Sequence, residues 1–224
     1  MDNRTKDQKE LVVNWHITEA CNYHCNYCFA KWDKQKNELM NDDEAISKLM
    51  DEIQKLPSIL TDKYLTEFES IRLNLVGGET FLNIRKVSRI THQAKQRQFS
   101  LSAITNGSRL NNELVTLIAD NFDSIGFSVD SLDSSTNIKI GRTEKTGVMD
   151  TDKVLMNIEH IKELNPSIDI KINTVVSSLN RLEDLSAFID QVAPSKWKVF
   201  KVLPVITREN EVSQDEFMSF LERH

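Results

Sequence analysis

Cys21-Asn-Tyr-His-Cys25-Asn-Tyr-Cys28-Phe29 holds all three cysteines of a 224-residue chain within eight positions. It comes just after Leu11-Val-Val-Asn-Trp-His-Ile17, an apolar run that reads as a strand. Three thiolates spaced C-x3-C-x2-C on a loop leaving a strand can converge on one metal centre. They fill three corners of a cubane [4Fe-4S] cluster and leave one iron without a protein ligand, open to a small molecule. A structural zinc site wants four protein ligands. His24 could serve as the fourth, but it reads as a solvated loop residue. A disulfide would leave one cysteine over, in a chain with no secretory context.

Length and composition set the frame. A chain of 224 residues with no Pro/Gly-rich linker suits one sizeable α/β domain. A net charge of -6 argues against a nucleic-acid surface. No apolar run approaches membrane-spanning length, and residues 1–10 lack the apolar core of a signal peptide. Free cysteines around an oxygen-sensitive cluster fit a reducing cytoplasm. The reading divides the chain into a flexible segment over 1–10, a barrel over 11–212 and a capped amphipathic helix over 213–224.

Within the barrel, strands are expected near 11–17, 70–76, 99–105, 124–130, 168–175 and 197–203. Helices are expected near 41–55, 84–97, 111–121, 151–164 and 181–192. Six β-units joined by helices call for parallel strands with right-handed crossovers. Strands of a covered parallel sheet should be apolar on both faces. Here one parity is polar: Asn14 and His16, Arg72 and Asn74, Ser100 and Ser102, Ser128 and Asp130, Lys171 and Asn173, and Lys198. The expected fold is therefore a partial (β/α)6 barrel with helices outside and a wet interior that holds a ligand.

Gly77-Gly78-Glu79 follows the second strand, where paired glycines permit close approach of a ligand. Thr105-Asn106-Gly107-Ser108 occupies the corresponding end of the third. With the cysteine loop, these segments resemble the radical S-adenosylmethionine (SAM) superfamily, in which SAM chelates the open iron. Further landmarks run in order along the chain: Ser128-Val-Asp130-Ser131, Ile140-Gly141-Arg142, Lys171-Ile-Asn173, Trp197-Lys198-Val-Phe200 and Phe220-Leu-Glu-Arg-His224. Together they resemble the viperin family.

That resemblance implies an enzyme with a [4Fe-4S] cluster and SAM, acting on CTP, UTP or GTP. A 5′-deoxyadenosyl radical would remove the ribose 4′ hydrogen. Loss of the 3′ hydroxyl as water, with one electron and one proton, would give a 3′-deoxy-3′,4′-didehydro nucleotide that terminates viral RNA chains. By the same resemblance Cys21, Cys25 and Cys28 hold the cluster. Phe29, Gly77, Gly78, Glu79, Asn106, Ser128 and Arg142 face SAM, with Glu79 receiving its ammonium group. Arg72, Asn74, Lys171, Asn173 and Lys198 face the nucleotide, and a flavodoxin or ferredoxin supplies electrons. Neither nucleic acid nor membrane is an expected partner.

The chain departs from the family in places. Val76 stands where viperins commonly have Ser, Thr80 where the superfamily often has Pro, and Arg72 where animal viperins have Lys. The membrane-binding helix of animal viperins and the family's segment beyond the last helix are both expected to be absent. Two other functions fit parts of the pattern. A radical SAM enzyme acting on a peptide or another small molecule would share the cluster loop, though its auxiliary-cluster form needs further cysteines. A non-enzymatic iron-sulfur carrier would need neither the GGE segment nor interior cations.

Overall fold

The computed structural model describes residues 9–28, 39–64, 67–205 and 207–224. Strands β1 (Glu10–Thr18), β2 (Ser70–Gly77), β3 (Ser100–Thr105) and β4 (Ser124–Ser128) come first. A two-stranded hairpin, β5 (Thr143–Glu144) and β6 (Gly147–Val148), precedes β7 (Asp169–Val176) and β8 (Lys196–Lys201). The hairpin stands apart; the other six strands form one sheet in the order β1-β2-β3-β4-β7-β8. Every pairing in that sheet is parallel. Residues from all six strands, Val12, Arg72, Ser102, Gly126, Lys171 and Lys196 among them, line a single cavity. The sheet is therefore curved into a partial barrel whose edges are β1 and β8, as the alternation of polar and apolar positions implies.

Seven helices are described: α1 (Asp43–Tyr64), α2 (Ile84–Gln96), α3 (Asn112–Asn121), α4 (Ser134–Ile140), α5 (Thr151–Leu164), α6 (Ser186–Val192) and α7 (Gln214–Arg223). Their starts follow from capping side chains. Asn83, Asn111 and Asp150 each accept a hydrogen bond from a first-turn N–H. Ser213 and Glu216 form a reciprocal capping box at the head of α7. The core lies between helices and sheet, where Leu73, Leu75, Leu101, Ile125 and Phe127 meet Ile46, Met50, Ile90, Val115 and Ile158.

Strand ends shift by one or two residues from the sequence-based expectation, and three differences are larger. The first helix runs nine residues further, to Tyr64, carrying Pro57 inside it. Its buried face ends at Ile53, so the last turns extend past the sheet, where Ile59 and Tyr64 are exposed. The helix expected over 181–192 forms only from Ser186. Ahead of it, Asn180 turns the backbone by accepting from Ser177 N–H and donating to the carbonyls of Asp130 and Val175. Finally, α4 and the hairpin were not expected at all. Seven residues with one capping aspartate, Asp133, make too short a periodic signal.

The expected flexible segment over 1–10 lies outside the described residues up to position 8, and Glu10 already belongs to β1. None of the helices among the described residues is long and apolar enough to cross a membrane.

Candidate active site

The cysteine loop leaves the end of β1 and is held from three sides. On one side, Gly78 N–H and Glu79 N–H donate to the carbonyls of Thr18 and Ala20, both at 2.9 Å. The backbones approach so closely that a Cβ on Gly77 or Gly78 would lie 2.1 Å from a carbonyl oxygen. Gly77 also sits at φ +144°. Only glycine meets both demands.

On the second side, Asn22 bonds Ser108 Oγ at 2.8 Å and Asn106 Nδ2 at 3.1 Å, tying the loop to the turn after β3. On the third, the C-terminus of α4 offers its free carbonyls. Asn26 N–H donates to Ile140 O at 2.9 Å, His24 N–H to Gly141 O at 3.0 Å, and Asn26 Nδ2 to Lys139 O at 3.0 Å. The helix that the sequence concealed is thus a seat for the loop. His24 is exposed, as its reading as a solvated residue requires.

Cys21, Cys25 and Cys28 are free thiols, each partly buried, and all three line a cavity of about 490 Å³. Burial pushes the Cys21 thiol up to about 11 and raises that of Cys25 as well. Binding a metal centre here therefore displaces thiol protons. Among the described residues no trio of His, Cys, Asp or Glu is placed to hold a single metal ion. Three unpaired thiols facing one cavity, with no fourth ligand grouped beside them among the described residues, fit a cubane with an open iron better than a zinc ion.

Gly77, Gly78, Asn106, Ser128 and Arg142 line the same cavity. Phe29 lies outside the described residues. Glu79 is placed differently from the expectation. It is 0% exposed, and its carboxylate accepts from Thr105 Oγ1 (2.6 Å), Asn106 N–H (2.7 Å) and Phe81 N–H (3.1 Å). Burial raises its pKa, against those donors. The carboxylate points behind the turn, joining the ends of β2 and β3, and glycine backbone is what this motif presents to the cavity. Thr80, the departure from Pro, donates to Ile104 O at 2.8 Å and strengthens the same junction. Glu79→Gln leaves one buried donor facing an amide N–H. We expect a loss of about 1–3 kcal/mol, or several degrees of Tm in thermal unfolding of the cluster-free protein. An unchanged Tm would mean that these bonds do not hold the turn.

Arg142 is 4% exposed and largely committed to the chain. It donates to Asp130 Oδ2 (2.8 Å), Ser128 O (3.0 Å) and the Tyr27 hydroxyl (3.0 Å). Tyr27 in turn donates to Asp130 Oδ2, and Val175 N–H fills Asp130 Oδ1 at 2.9 Å. Burial opposes the Arg142 charge, but Asp130 and its neighbours outweigh it and keep the guanidinium protonated. Asp130 falls on the polar parity, and the sequence also allows it to hold the strand end through backbone bonds. It lies past the end of β4 and does the latter, accepting from Val175 N–H and so joining the cysteine loop to β7.

A second cavity, of about 550 Å³, continues the first along the interior; Asn14, Asn74, Ile104 and Lys198 line both. Arg72, Lys171 and Asn173 line it as expected, with Lys196 and Ser195 added by the edge strand. These last two precede the strand expected from 197, which is why the sequence did not select them. Asn74 is preset by a ladder, donating to Asn14 Oδ1 and accepting from Ser102 Oγ, both at 2.7 Å. Two cations already have neighbours of opposite charge. Arg72 Nε is 2.8 Å from Glu10 Oε2, and Lys171 Nζ is 3.4 Å from Asp169 Oδ2. Desolvation, Lys196, Lys171 and Arg72 all lower the pKa of Lys198. Crowded cations of this kind gain by binding a polyanion.

The Radical SAM superfamily profile matches residues 15–191. A protein of Psychrobacter lutiphocae named S-adenosylmethionine-dependent nucleotide dehydratase is 60% identical over 225 residues, covering 100% of this chain and 76% of that protein. One of the same name from a Fibrobacter species is 37% identical over 213 residues, 95% of this chain and 61% of that protein. The chain belongs to the radical SAM nucleotide dehydratases, the viperin family.

Radical SAM proteins use a [4Fe-4S] cluster and SAM, and the three thiols described above fit the cluster. The fold is shared more widely. The crystal structure of Streptococcus suis SuiB bound to S-adenosylmethionine superposes with a TM-score of 0.70 at 14% identity, covering 96% of this chain and 47% of that one.

Proposed function

We propose that this viperin-family protein dehydrates a nucleoside triphosphate, CTP, UTP or GTP, to its 3′-deoxy-3′,4′-didehydro analogue, a terminator of viral RNA synthesis. The observation that carries this reading is the continuity of the two cavities. A thiol-lined chamber opens directly into one bordered by Arg72, Lys171, Lys196 and Lys198. A ligand with a sugar near the cysteines and a chain of phosphates toward the cations would fill both.

When bound, the cluster with SAM supplies the one-electron chemistry by which a ribose hydrogen atom is removed. Cys21, Cys25 and Cys28 would hold the cluster, and the backbone of Gly77 and Gly78 would border SAM. Asn106 and Ser128 would shape the same wall, with Arg142 fixed behind them by Asp130. On the substrate side, Lys171 and Lys198 hold phosphate oxygens by charge-assisted bonds. Arg72 joins them by leaving Glu10. Asn74 and Asn173 orient the sugar, whose 4′ hydrogen leaves as an atom and whose 3′ hydroxyl leaves as water. One electron and one proton taken up complete the balance. A flavodoxin or ferredoxin in a reducing cytoplasm is the proposed electron source.

Anaerobic incubation with reductant, SAM and each triphosphate in turn tests the reading. 5′-Deoxyadenosine should accumulate together with a nucleotide lighter by one water. If no triphosphate yields that product or changes SAM cleavage, a different substrate is indicated.

The lysines give a sharper test. Lys171→Ala and Lys198→Ala each remove a charged donor worth about 1.5–3 kcal/mol, so KM for the nucleotide should rise roughly ten- to a hundredfold. Stability without ligand should hold or improve, because like charges are thinned. A saturating triphosphate adds about 2.7 kcal/mol at a hundred times Kd, roughly 5–10 °C in Tm for a chain of this size. That shift should shrink in both variants. Parent-like shifts would remove the lysines from the phosphate site.

A further inference from the structure

The middle of the concave face is bare at one position. Gly126 pairs with Ile104 on one side and Lys171 on the other, while its strand neighbours Ile125 and Phe127 point into the core. It lines the cation-bordered cavity directly. Its backbone is not in the left-handed region, so conformational freedom does not call for glycine here. Glycine inside a strand weakens the strand and often marks close approach of a ligand. A Cβ at this position would meet Asn173 Nδ2 at 3.1 Å and Ile104 Cγ1 at 3.5 Å, with the nearest backbone atom 3.7 Å away. The Asn173 amide is the end of a flexible side chain and can yield a few tenths of an ångström. Packing of the fold therefore does not demand a glycine. A side chain would instead rise into the cavity between Ile104 and Asn173.

We infer that Gly126 is a specificity-determining residue: its missing side chain lets the substrate lie against the β4 backbone as it crosses from the sugar end of the site to the cations. The inference rests on the nucleoside triphosphate reading above. It predicts that pocket depth, set by one atom position, decides whether the polyphosphate chain reaches Lys171 and Lys198 at the same time.

Gly126→Ala and Gly126→Val test it in the full chain with its cluster reconstituted. Triphosphate affinity is read from thermal shifts with CTP, UTP and GTP, and SAM affinity from the change in cluster absorbance. A triphosphate that stabilises the parent should bind Gly126→Val about tenfold or more weakly, with Gly126→Ala between the two. SAM affinity should not change in either. Should the valine variant fail to fold, the alanine variant decides alone, since one methyl already stands in the path. Parent-like triphosphate affinity overturns the role of Gly126 while leaving the substrate reading intact. Equal losses for SAM and triphosphate would mark Gly126 as a support of the fold and also overturn it. If no triphosphate shifts the parent, the substrate reading fails and Gly126 loses its role with it.

Discussion

Replacing Cys21, Cys25 or Cys28 by alanine is expected to reduce SAM cleavage to background. The sequence has three cysteines and no others, so it offers no substitute thiolate. All three face the same cavity, and the loop that bears them is fastened to β2, β3 and α4 by backbone and amide hydrogen bonds that use none of the sulfurs. Each single variant should therefore fold and keep its thermal transition in the cluster-free state. What it should lose is the iron-sulfur absorbance on reconstitution, or the capacity of the reconstituted cluster to bind SAM. 5′-Deoxyadenosine at the parent rate from any reconstituted single variant would overturn the cluster assignment.

The second large effect is on stability. Asp130→Ala removes the partner of Arg142, a pair whose side chains are 5% and 1% exposed. A buried ion pair is weak evidence for stability, but removing one member leaves the other charged and unpaired at about 3–5 kcal/mol. The lost acceptor of Val175 N–H adds to this. Thermal unfolding should show Tm lower by roughly 10 °C or more. Arg142→Met alone removes the charge together with its bonds, and the double variant should be more stable than Asp130→Ala. That coupling is the expected signature, because the cost lies in the orphaned guanidinium. A loss below about 1 kcal/mol in Asp130→Ala would show that water reaches Arg142 and that the network does not anchor the cysteine loop.

Much of this protein was open to reading from residues alone. The C-x3-C-x2-C spacing named the metal centre, because ligand spacing on a loop is a local property. Alternation along the strands separated an apolar, helix-facing layer from a polar interior, because side chains of a strand alternate strictly between faces. Asn14, Arg72, Asn74, Lys171, Asn173 and Lys198 were assigned to the cavity on that basis and lie there. The capped helix read over 213–224 begins as α7 directly after Ser213 for the same local reason.

Periodicity states which face a side chain occupies and is silent about what meets it there. Glu79 shows the consequence. Its position after paired glycines suggested a carboxylate offered to a ligand, yet Thr105 and Asn106, from the next strand's end, fold over and consume it. Arg72 faces the cavity as expected, but Glu10, 62 residues earlier, is beside it through the β1–β2 register. Tyr27, Asp130 and Arg142 meet only because α4 turns the chain back beneath the cysteine loop. Each of these arrangements joins residues far apart in sequence. Their partners are chosen by strand register and loop return, and the energy of burying a charge then fixes the pairing. The sequence by itself determined the cluster loop, the parallel strands and the polar lining of the barrel. The tertiary structure alone decided which polar groups remain open to a ligand and which are spent in holding the site together.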